Sequence, residues 1–234
     1  MSDNDAAPVI ALDHVTKVYE QGAQRVDALR GLTMSVGSGE FTAISGPSGS
    51  GKTTALNLIG ALDTPTSGTV CIEGVDLGTF NRKELSRLRR DRIGFVFQAY
   101  NLLPVLTAYE NAEIVLAVQG VADAERRVRV LELLTLVGLG GLEDRRPSEL
   151  SGGQQQRVAI ARAIASNPAV VLADEPTANV DSETADTLLE MMETLNRDQG
   201  VTFLFSTHDP KVMERARRVV HLVDGQIESD NVRG

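Results

Sequence analysis

The chain has 234 residues, 42% of them hydrophobic, and its formal net charge is −9. This length predicts one domain with room for an inserted subdomain, because domains run to roughly 100–200 residues. The acidic balance disfavours nucleic-acid binding, in which basic side chains neutralise phosphates, so we expect no nucleic-acid partner. The single cysteine, Cys71, excludes an internal disulfide and fits a reducing compartment.

The start of the chain, 1–8, contains acidic residues and no basic residue after the initial Met, so it does not resemble a secretory signal. We expect a disordered tail there. No apolar run approaches the roughly 20 residues that cross a bilayer. Any role at a membrane is therefore expected to come through a partner.

From residue 9 onwards, short aliphatic runs of strand character alternate with helix-like stretches. One predicted helix follows Asp123 and ends before Gly138, a typical C-terminal capping residue. This alternation predicts an α/β fold with a mostly parallel sheet, and a helical subdomain at 99–167 inserted into a core of 9–98 and 168–229. The predicted strands are 9–19, 41–45, 93–97, 169–173, 201–206 and 219–223.

A glycine-rich motif follows the predicted strand 41–45 and fits the P-loop pattern G-x-x-x-x-G-K-[ST]. Its glycines let successive backbone N–H groups face one anion, and the next helix, to about residue 60, points its positive end there. Lys52 would reach the β and γ phosphates of ATP, Thr53 would join the shell of Mg²⁺, and Thr54 is assigned to the same site. The alternative is a chance turn. The motif is Gly46-Pro47-Ser48-Gly49-Ser50-Gly51-Lys52-Thr53.

A second motif, Ser151-Gly152-Gly153-Gln154, opens a long helical stretch. Ser151 and Gln154 stand at the spacing of a capping box. Two glycines in a first helical turn cost roughly 1 kcal/mol each relative to alanine, but they leave N–H groups open to a phosphate. The motif is therefore either a well-capped helix or a second anion site.

Two carboxylates, Asp174 and Glu175, follow the predicted strand 169–173 at its carboxyl end, where α/β sheets bind ligands. Asp174 could hold Mg²⁺ through water, and Glu175 could act as general base on an attacking water. The alternative is that Asp174 only caps the following segment. The P-loop upstream favours the metal site.

Together these motifs resemble the ABC ATPases, whose signature motif 151–154 matches, and the resemblance covers roughly 9–228. It implies a P-loop NTPase core with an antiparallel N-terminal β part. It also implies a homodimer that packs head to tail around two ATP. In that dimer, the ATP of the partner chain would be contacted by Ser151, Gly152, Gly153 and Gln154.

The resemblance also assigns roles to four isolated residues. Tyr19 would stack on adenine, and Gln98 would touch both Mg²⁺ and the helical subdomain. Asp181 would contact the ATP site of the partner, and His208 would act at the γ-phosphate. The respective alternatives are a buried strand aromatic, a polar residue at a strand end, a helix N-cap and a structural histidine. The expected catalytic residues are Glu175, His208 and Lys52.

Within the family, 46–68, 93–98 and the three glutamines 154–156 most resemble the ATPases of lipoprotein-release and macrolide-export systems, with the cell-division ATPase a near relative. The chain is then expected to lie on the cytoplasmic face of the membrane and to drive a separate integral membrane permease. The alternative is a non-transport complex of the cell envelope. Three positions depart from the family pattern without removing a catalytic group: Thr53, Ala178 and Val180.

Two further stretches have open interpretations. The apolar run 102–106 could dock a permease or could belong to the local core. The basic cluster within 82–92 is either a solvated helix face or a contact for anionic lipid or an acidic face of the permease.

Overall fold

The computed structural model describes residues 7–22 and 24–233, so residues 1–6 of the predicted tail lie outside the described residues. The strands are β1 (Ile10–Gln21), β2 (Gln24–Val36), β3 (Phe41–Ser45), β4 (Ser67–Ile72), β5 (Val75–Asp76), β6 (Ile93–Val96), β7 (Val170–Asp174), β8 (Phe203–Thr207), β9 (Arg218–Val223) and β10 (Gln226–Val232). The helices are α1 (Lys52–Ile59), α2 (Arg82–Arg92), α3 (Ala108–Gln119), α4 (Asp123–Leu136), α5 (Gly152–Ile164), α6 (Ser182–Gln199) and α7 (Pro210–Arg215).

The larger sheet has six strands in the order β10-β9-β3-β8-β7-β6. All its neighbours pair in parallel except β10 with β9. The prediction of a mostly parallel sheet is therefore confirmed. Five of its six strands, β3 and β6 to β9, lie within two residues of the predicted bounds, and β10 is missed. Because β3, β7 and β8 run in parallel, their carboxyl ends, each followed by a motif residue, meet at one edge.

The smaller sheet has four strands in the order β2-β1-β4-β5, all antiparallel. It is the predicted antiparallel N-terminal part, although only β1 is predicted as an individual strand. The missed strands carry polar residues throughout, and β10 of the larger sheet exposes most of its side chains. Such strands lack the continuous apolar run that identifies a buried strand in the sequence.

The core has a layer on each face of the six-stranded sheet. Along β3, Phe41 and Ile44 contribute to opposite layers, as the two-residue period of a strand requires. One layer packs β3 and its neighbours against α1 and the smaller sheet. The other packs Phe41 and Phe205, with ring centroids 4.7 Å apart, under α6. Because β3 is buried on both faces, packing on both sides fixes the position from which the glycine-rich loop starts.

Three helices, α3, α4 and α5, surround an apolar cluster of their own. Val130 and Leu134 of α4 are buried in it, and Gly138 follows the end of α4 with φ 73, as expected for a capping glycine. Within 7–22 and 24–233, no helix combines the length and apolar character needed to span a membrane.

Candidate functional site

The glycine-rich loop joins β3 to α1 in a conformation that depends on its glycines. Gly46 has φ 146, and a Cβ there would lie 2.1 Å from the carbonyl oxygen of Leu222. Gly51 has φ 102, and its Cβ would lie 2.5 Å from the carbonyl oxygen of Ala28. Any side chain at either position would therefore push the loop away from the strands that support it.

The ammonium group of Lys52 lies inside this loop. Its Nζ donates to the carbonyl oxygens of Gly46 at 2.7 Å and Pro47 at 2.9 Å, and the residue is only 8% exposed. Gly51 is the N-cap of α1 and offers no side-chain cap. The free N–H groups of the first turn and the positive end of the helix thus face the same place as the ammonium, which makes a site for an anion.

An open cleft of about 720 Å³ lies over the loop. Tyr19, Gln98, Glu175 and His208 line it together with 47–54, so the structure brings these predicted residues to one place. Gly46 and Asp174 do not line the cleft; they are the first residue of the loop and the last of β7. On its loop side the cleft is lined by Lys52 and by the hydroxyl residues Ser48, Ser50, Thr53 and Thr54, which suit a triphosphate.

Asp174 is the candidate carboxylate ligand of a divalent cation. Its Oδ1 has no hydrogen-bond partner among the described residues, although it is buried. Burial raises the pKa of Asp174, and the neighbouring Ser206, Lys52 and Thr53 only partly offset this rise. A buried carboxylate oxygen without a partner fits a hydrated cation, and the hydroxyl of Thr53 beside it supplies a second oxygen. This chemistry suits Mg²⁺, which prefers oxygen ligands and keeps several waters.

The carboxylate of Glu175 accepts hydrogen bonds from residues at the carboxyl end of β8. Its Oε2 accepts from Thr207 Oγ1 at 3.0 Å, and its Oε1 accepts from the backbone N–H of His208 at 3.2 Å. His208 Nδ1 lies 2.6 Å from the same Oε1. The predicted base and the histidine predicted to act at the γ-phosphate are therefore direct neighbours, and the contact uses only the Nδ1 of His208.

Tyr19 is fixed by two residues that the sequence analysis misses. Its phenol donates to Asp63 Oδ2 at 2.9 Å, and Lys17 Nζ lies 4.8 Å from the ring centroid. Lys17 Nζ also donates to Asp63 Oδ1 at 2.7 Å. Tyr19 is partly exposed and lines the cleft, which fits an aromatic platform better than a buried strand aromatic.

The signature segment forms the capped start of α5. Ser151 Oγ accepts from the N–H of Gln154 at 3.3 Å, and Gln154 Oε1 accepts from the N–H of Ser151 at 2.9 Å. The predicted capping box is thus present, and it does not exclude an anion site. A Cβ at Gly153 would lie 2.3 Å from Thr184 Cγ2, so tight packing against α6 is a further reason for this glycine.

Asp181 is the N-cap of α6, as its alternative interpretation predicts. Its two oxygens accept from Thr184, Oδ1 from the backbone N–H at 2.9 Å and Oδ2 from the hydroxyl at 2.7 Å. Because Gly153 packs against Thr184, Asp181 and the signature segment lie side by side. None of 151–154 or Asp181 lines the cleft. Their surface is separate from the nucleotide cleft of the same chain.

A shallow apolar groove of about 450 Å³ lies between α2, β6, α3 and α5. Its walls include Leu62, Phe95, Phe97 and Val118, with the guanidinium of Arg162 at one side. Burial lowers the pKa of Arg162, which donates to the carbonyl oxygens of Tyr100 and Asn101.

The two open stretches of the sequence lie near this groove. Leu102 packs against the α3–α5 cluster, whereas Leu103 and Val105 are exposed. In the basic cluster, Arg89 binds the carbonyl oxygen of Ala61 and Arg92 pairs with Glu73. The basic positions that are exposed on α2 are Arg82, Lys83 and Arg87.

Sequence reasoning misses several residues of the site. Val26, Asp27 and Ala28 line the cleft from β2, a strand that the sequence does not reveal, and Ser206 lines it from β8. Thr177 and Asp209 form hydrogen bonds close to Glu175 but belong to no motif. Their only sequence signal is that they follow predicted strands within a few residues.

Comparison with known proteins identifies the family. A family profile described as ABC transporter matches residues 29–178. The chain is 48% identical over 231 residues to the lipoprotein-releasing system ATP-binding protein LolD of Anaeromyxobacter dehalogenans, covering 98% of this chain and 97% of the relative. It is 46% identical over 227 residues to the macrolide export ATP-binding/permease protein MacB of Brucella melitensis. That match covers 97% of this chain but only 35% of the much longer relative.

A solved structure has the same fold. The ATP-binding cassette MJ0796 of Methanocaldococcus jannaschii, solved as a dimer in a post-hydrolysis state with ADP and Pi bound, superposes with a TM-score of 0.88 at 44% identity. The match covers 96% of this chain and 99% of that one. The resemblance that the motifs indicate is thereby confirmed. The chain belongs to the ABC transporter family.

Proposed function

We propose that this chain works as one of two copies that enclose two ATP molecules and drive a separate membrane permease. The observation that carries the proposal is the separation of two residue sets. One set lines the nucleotide cleft, whereas 151–154 and Asp181 lie together on a different surface. Only a second copy can bring the latter set to the ATP of the first, and the dimeric MJ0796 structure supports this arrangement.

In the proposed site, the N–H groups of the loop and Lys52 hold the phosphates. Glu175 orients the attacking water and accepts its proton, and His208, which already contacts Glu175, offers its second ring nitrogen to the γ-phosphate. Tyr19 supports the adenine. Thr53, Gln98 and Asp174 would hold Mg²⁺, which supplies positive charge against the phosphate oxygens.

We further propose that the second copy completes each site. The capped start of α5 presents Ser151 and the N–H groups of Gly152 and Gly153 toward the partner's γ-phosphate, with Gln154 and Asp181 beside them. ATP then favours the closed pair because it contacts both chains, and hydrolysis removes this bridge.

The groove beside Arg162 is the proposed docking site of the permease. It is apolar, and Val118 at its wall and Val105 nearby are strongly exposed. Phe97 lines this groove, and the next residue, Gln98, lines the nucleotide cleft. A movement of Gln98 would therefore be transmitted to a segment docked in the groove. In this view 99–167 is a helical subdomain, a division supported by the separate apolar cluster of α3–α5. The chain would then lie on the cytoplasmic face of the membrane.

The relatives favour two kinds of permease, one for lipoprotein release and one for macrolide export. A non-transport complex of the cell envelope, driven by the same ATPase, is the second candidate, since the docking groove suits either. Isolation of the chain with its membrane partner distinguishes them. A partner that carries no substrate across the membrane favours the second candidate.

The composite site is tested with Glu175→Gln, which should bind ATP without hydrolysing it and so accumulate the closed dimer. Size-exclusion chromatography with ATP and Mg²⁺ should show this dimer, and adding Ser151→Arg should return the protein to monomer. Gln199→Arg, which adds the same charge at the exposed end of α6, is the matched control and should leave the dimer intact. A Glu175→Gln protein that stays monomeric at saturating ATP contradicts the proposal.

A further inference from the structure

A chain of hydrogen bonds runs beside the Glu175 carboxylate. Thr207 Oγ1 donates to Glu175 Oε2 at 3.0 Å and accepts from the backbone N–H of Asp209 at 2.9 Å. Asp209 Oδ2 in turn accepts from Thr177 Oγ1 at 2.8 Å. Thr177 and Thr207 are 5% and 0% exposed, so water does not compete for their hydroxyl groups.

The direction of each hydrogen bond in this chain is fixed. Ionised carboxylates only accept, so the hydroxyl proton of Thr207 goes to Glu175 and that of Thr177 goes to Asp209. A lone pair of Thr207 is used by the N–H of Asp209, and Asp209 Oδ1 accepts from the N–H of Lys211 at 2.9 Å. Rotating the Glu175 carboxylate away would leave a buried hydroxyl group unpaired, which is costly.

Glu175 needs such support. Its φ is 46, a left-handed conformation that a non-glycine residue keeps only when its surroundings hold it. The His208 side chain, which contacts Oε1, is 74% exposed, so water competes for this contact. Thr207 is the buried donor on Oε2, so it gives the carboxylate a support that does not depend on the exposed imidazole.

We propose that Thr207, Asp209 and Thr177 are positioning residues for ATP hydrolysis, which fix the rotation of the Glu175 carboxylate toward the attacking water. The inference rests on the proposed role of Glu175 as general base. It also connects that base to the loop 178–181, because Thr177 immediately precedes the loop. Asn179 in this loop donates to the carbonyl oxygen of Gln98 at 2.8 Å. The loop is thus bonded through Asn179 to Gln98, which lines the cleft, and the residue before it is bonded to Asp209.

The test compares Thr207→Val, which keeps the shape of the side chain but lacks the hydroxyl, with Thr207→Ser, which retains it. For Thr207→Val, kcat for ATP hydrolysis should fall about ten-fold or more, the effect of losing one hydrogen bond to a charged group. The KM for ATP and the Kd for ATP from equilibrium dialysis should stay within about two-fold, because Thr207 is not among the residues that line the cleft. Thr207→Ser should restore kcat.

Thr177→Val and Thr177→Ser repeat the comparison one step further from Glu175, with an expected fall in kcat of about three-fold for valine only. If Thr207→Val does not unfold cooperatively on heating, it is not correctly folded. The comparison of kcat, KM and Kd between Thr177→Val and Thr177→Ser then tests the inference. A folded valine variant with wild-type kcat overturns the inference, as does an equal loss in the valine and serine variants.

Glu175→Gln separates this inference from the proposed function. If Glu175→Gln keeps full turnover, the assignment of the base is wrong. If Glu175→Gln is inactive while Thr207→Val and Thr177→Val turn over normally, only the positioning role is wrong.

Discussion

The phenol of Tyr19 donates a hydrogen bond to Asp63 Oδ2, 2.9 Å away, so the ring is oriented before a nucleotide arrives. Lys17 completes this arrangement by contacting both the ring and the carboxylate. An aromatic ring that is already fixed by such contacts loses little side-chain entropy when a base stacks on it. The sequence motifs identify Tyr19 but neither of its two supports.

We therefore predict that Lys17→Met raises the KM for ATP roughly three- to ten-fold while leaving kcat unchanged, because stacking binds ground and transition states equally. Steady-state hydrolysis over a range of ATP concentrations measures both constants. Lys83→Met, at an exposed position on α2, is the matched control and should change neither. A fall in kcat with constant KM would contradict the support role.

The pKa of Asp63 gives a prediction on stability. Burial alone would raise it, but hydrogen bonds from Lys17, the N–H of Thr64 and Tyr19 hold it below its ordinary value. Because the pKa is lowered by folding, ionised Asp63 stabilises the fold above the unfolded pKa, about 4, and this contribution is lost as pH falls through the lowered pKa.

Asp63→Asn should accordingly lower the free energy of unfolding by about 1 kcal/mol at pH 7 and by less as the solution is acidified below about pH 4. Urea unfolding at a series of pH values measures the difference. If the difference in free energy of unfolding between wild type and Asp63→Asn grew on acidification, the ionised form of Asp63 would not be the stabilising one.

Gly153→Ala should disturb the junction of α5 and α6, because its Cβ would lie 2.3 Å from Thr184 Cγ2. Overpacking of this kind costs about 1–3 kcal/mol, and turning the Thr184 side chain aside would break the hydrogen bond from its hydroxyl to Asp181 Oδ2. Thermal unfolding measures the loss. The double variant Gly153→Ala with Thr184→Ser removes the clashing methyl group and keeps the hydroxyl, so it should recover most of the stability; no recovery would refute the steric cause.

The docking groove is tested with two exposed valines on neighbouring helices. Val118 on α3, 64% exposed, lines the groove, whereas Val128 on α4, 59% exposed, does not. Val118→Asp should reduce co-purification with permease-containing membranes several-fold, and Val128→Asp should not. Equal retention of both variants would place the docking surface elsewhere.

The buried strands of the fold are predictable because both of their faces are apolar. For β3, the run Phe41–Ser45 is recovered with its observed ends, and β6 to β9 are recovered within two residues. β2 is missed because Arg25, Asp27 and Arg30 interrupt its apolar residues, and its pairing with β1 depends on contacts that a local pattern does not contain.

The site is predictable where a motif has fixed spacing. The loop 46–53 follows β3, and the pair Asp174–Glu175 lies at the end of β7, so their positions at one sheet edge follow from the topology. Thr177 and Asp209 escape prediction because their partner atoms come from segments 32 residues apart in the chain. Such a relationship exists only after β7 and β8 have paired.

The capping box at Ser151 has a consequence for association. The start of α5 is already capped by side chains of the same chain. A second copy would therefore bind a preformed surface and would not have to order it. Most of the free energy of the ATP contact would then go into holding the pair together. Because separation would not have to undo any ordering of this surface, the pair would also separate quickly after hydrolysis of ATP. This favours repeated cycles over a permanent complex.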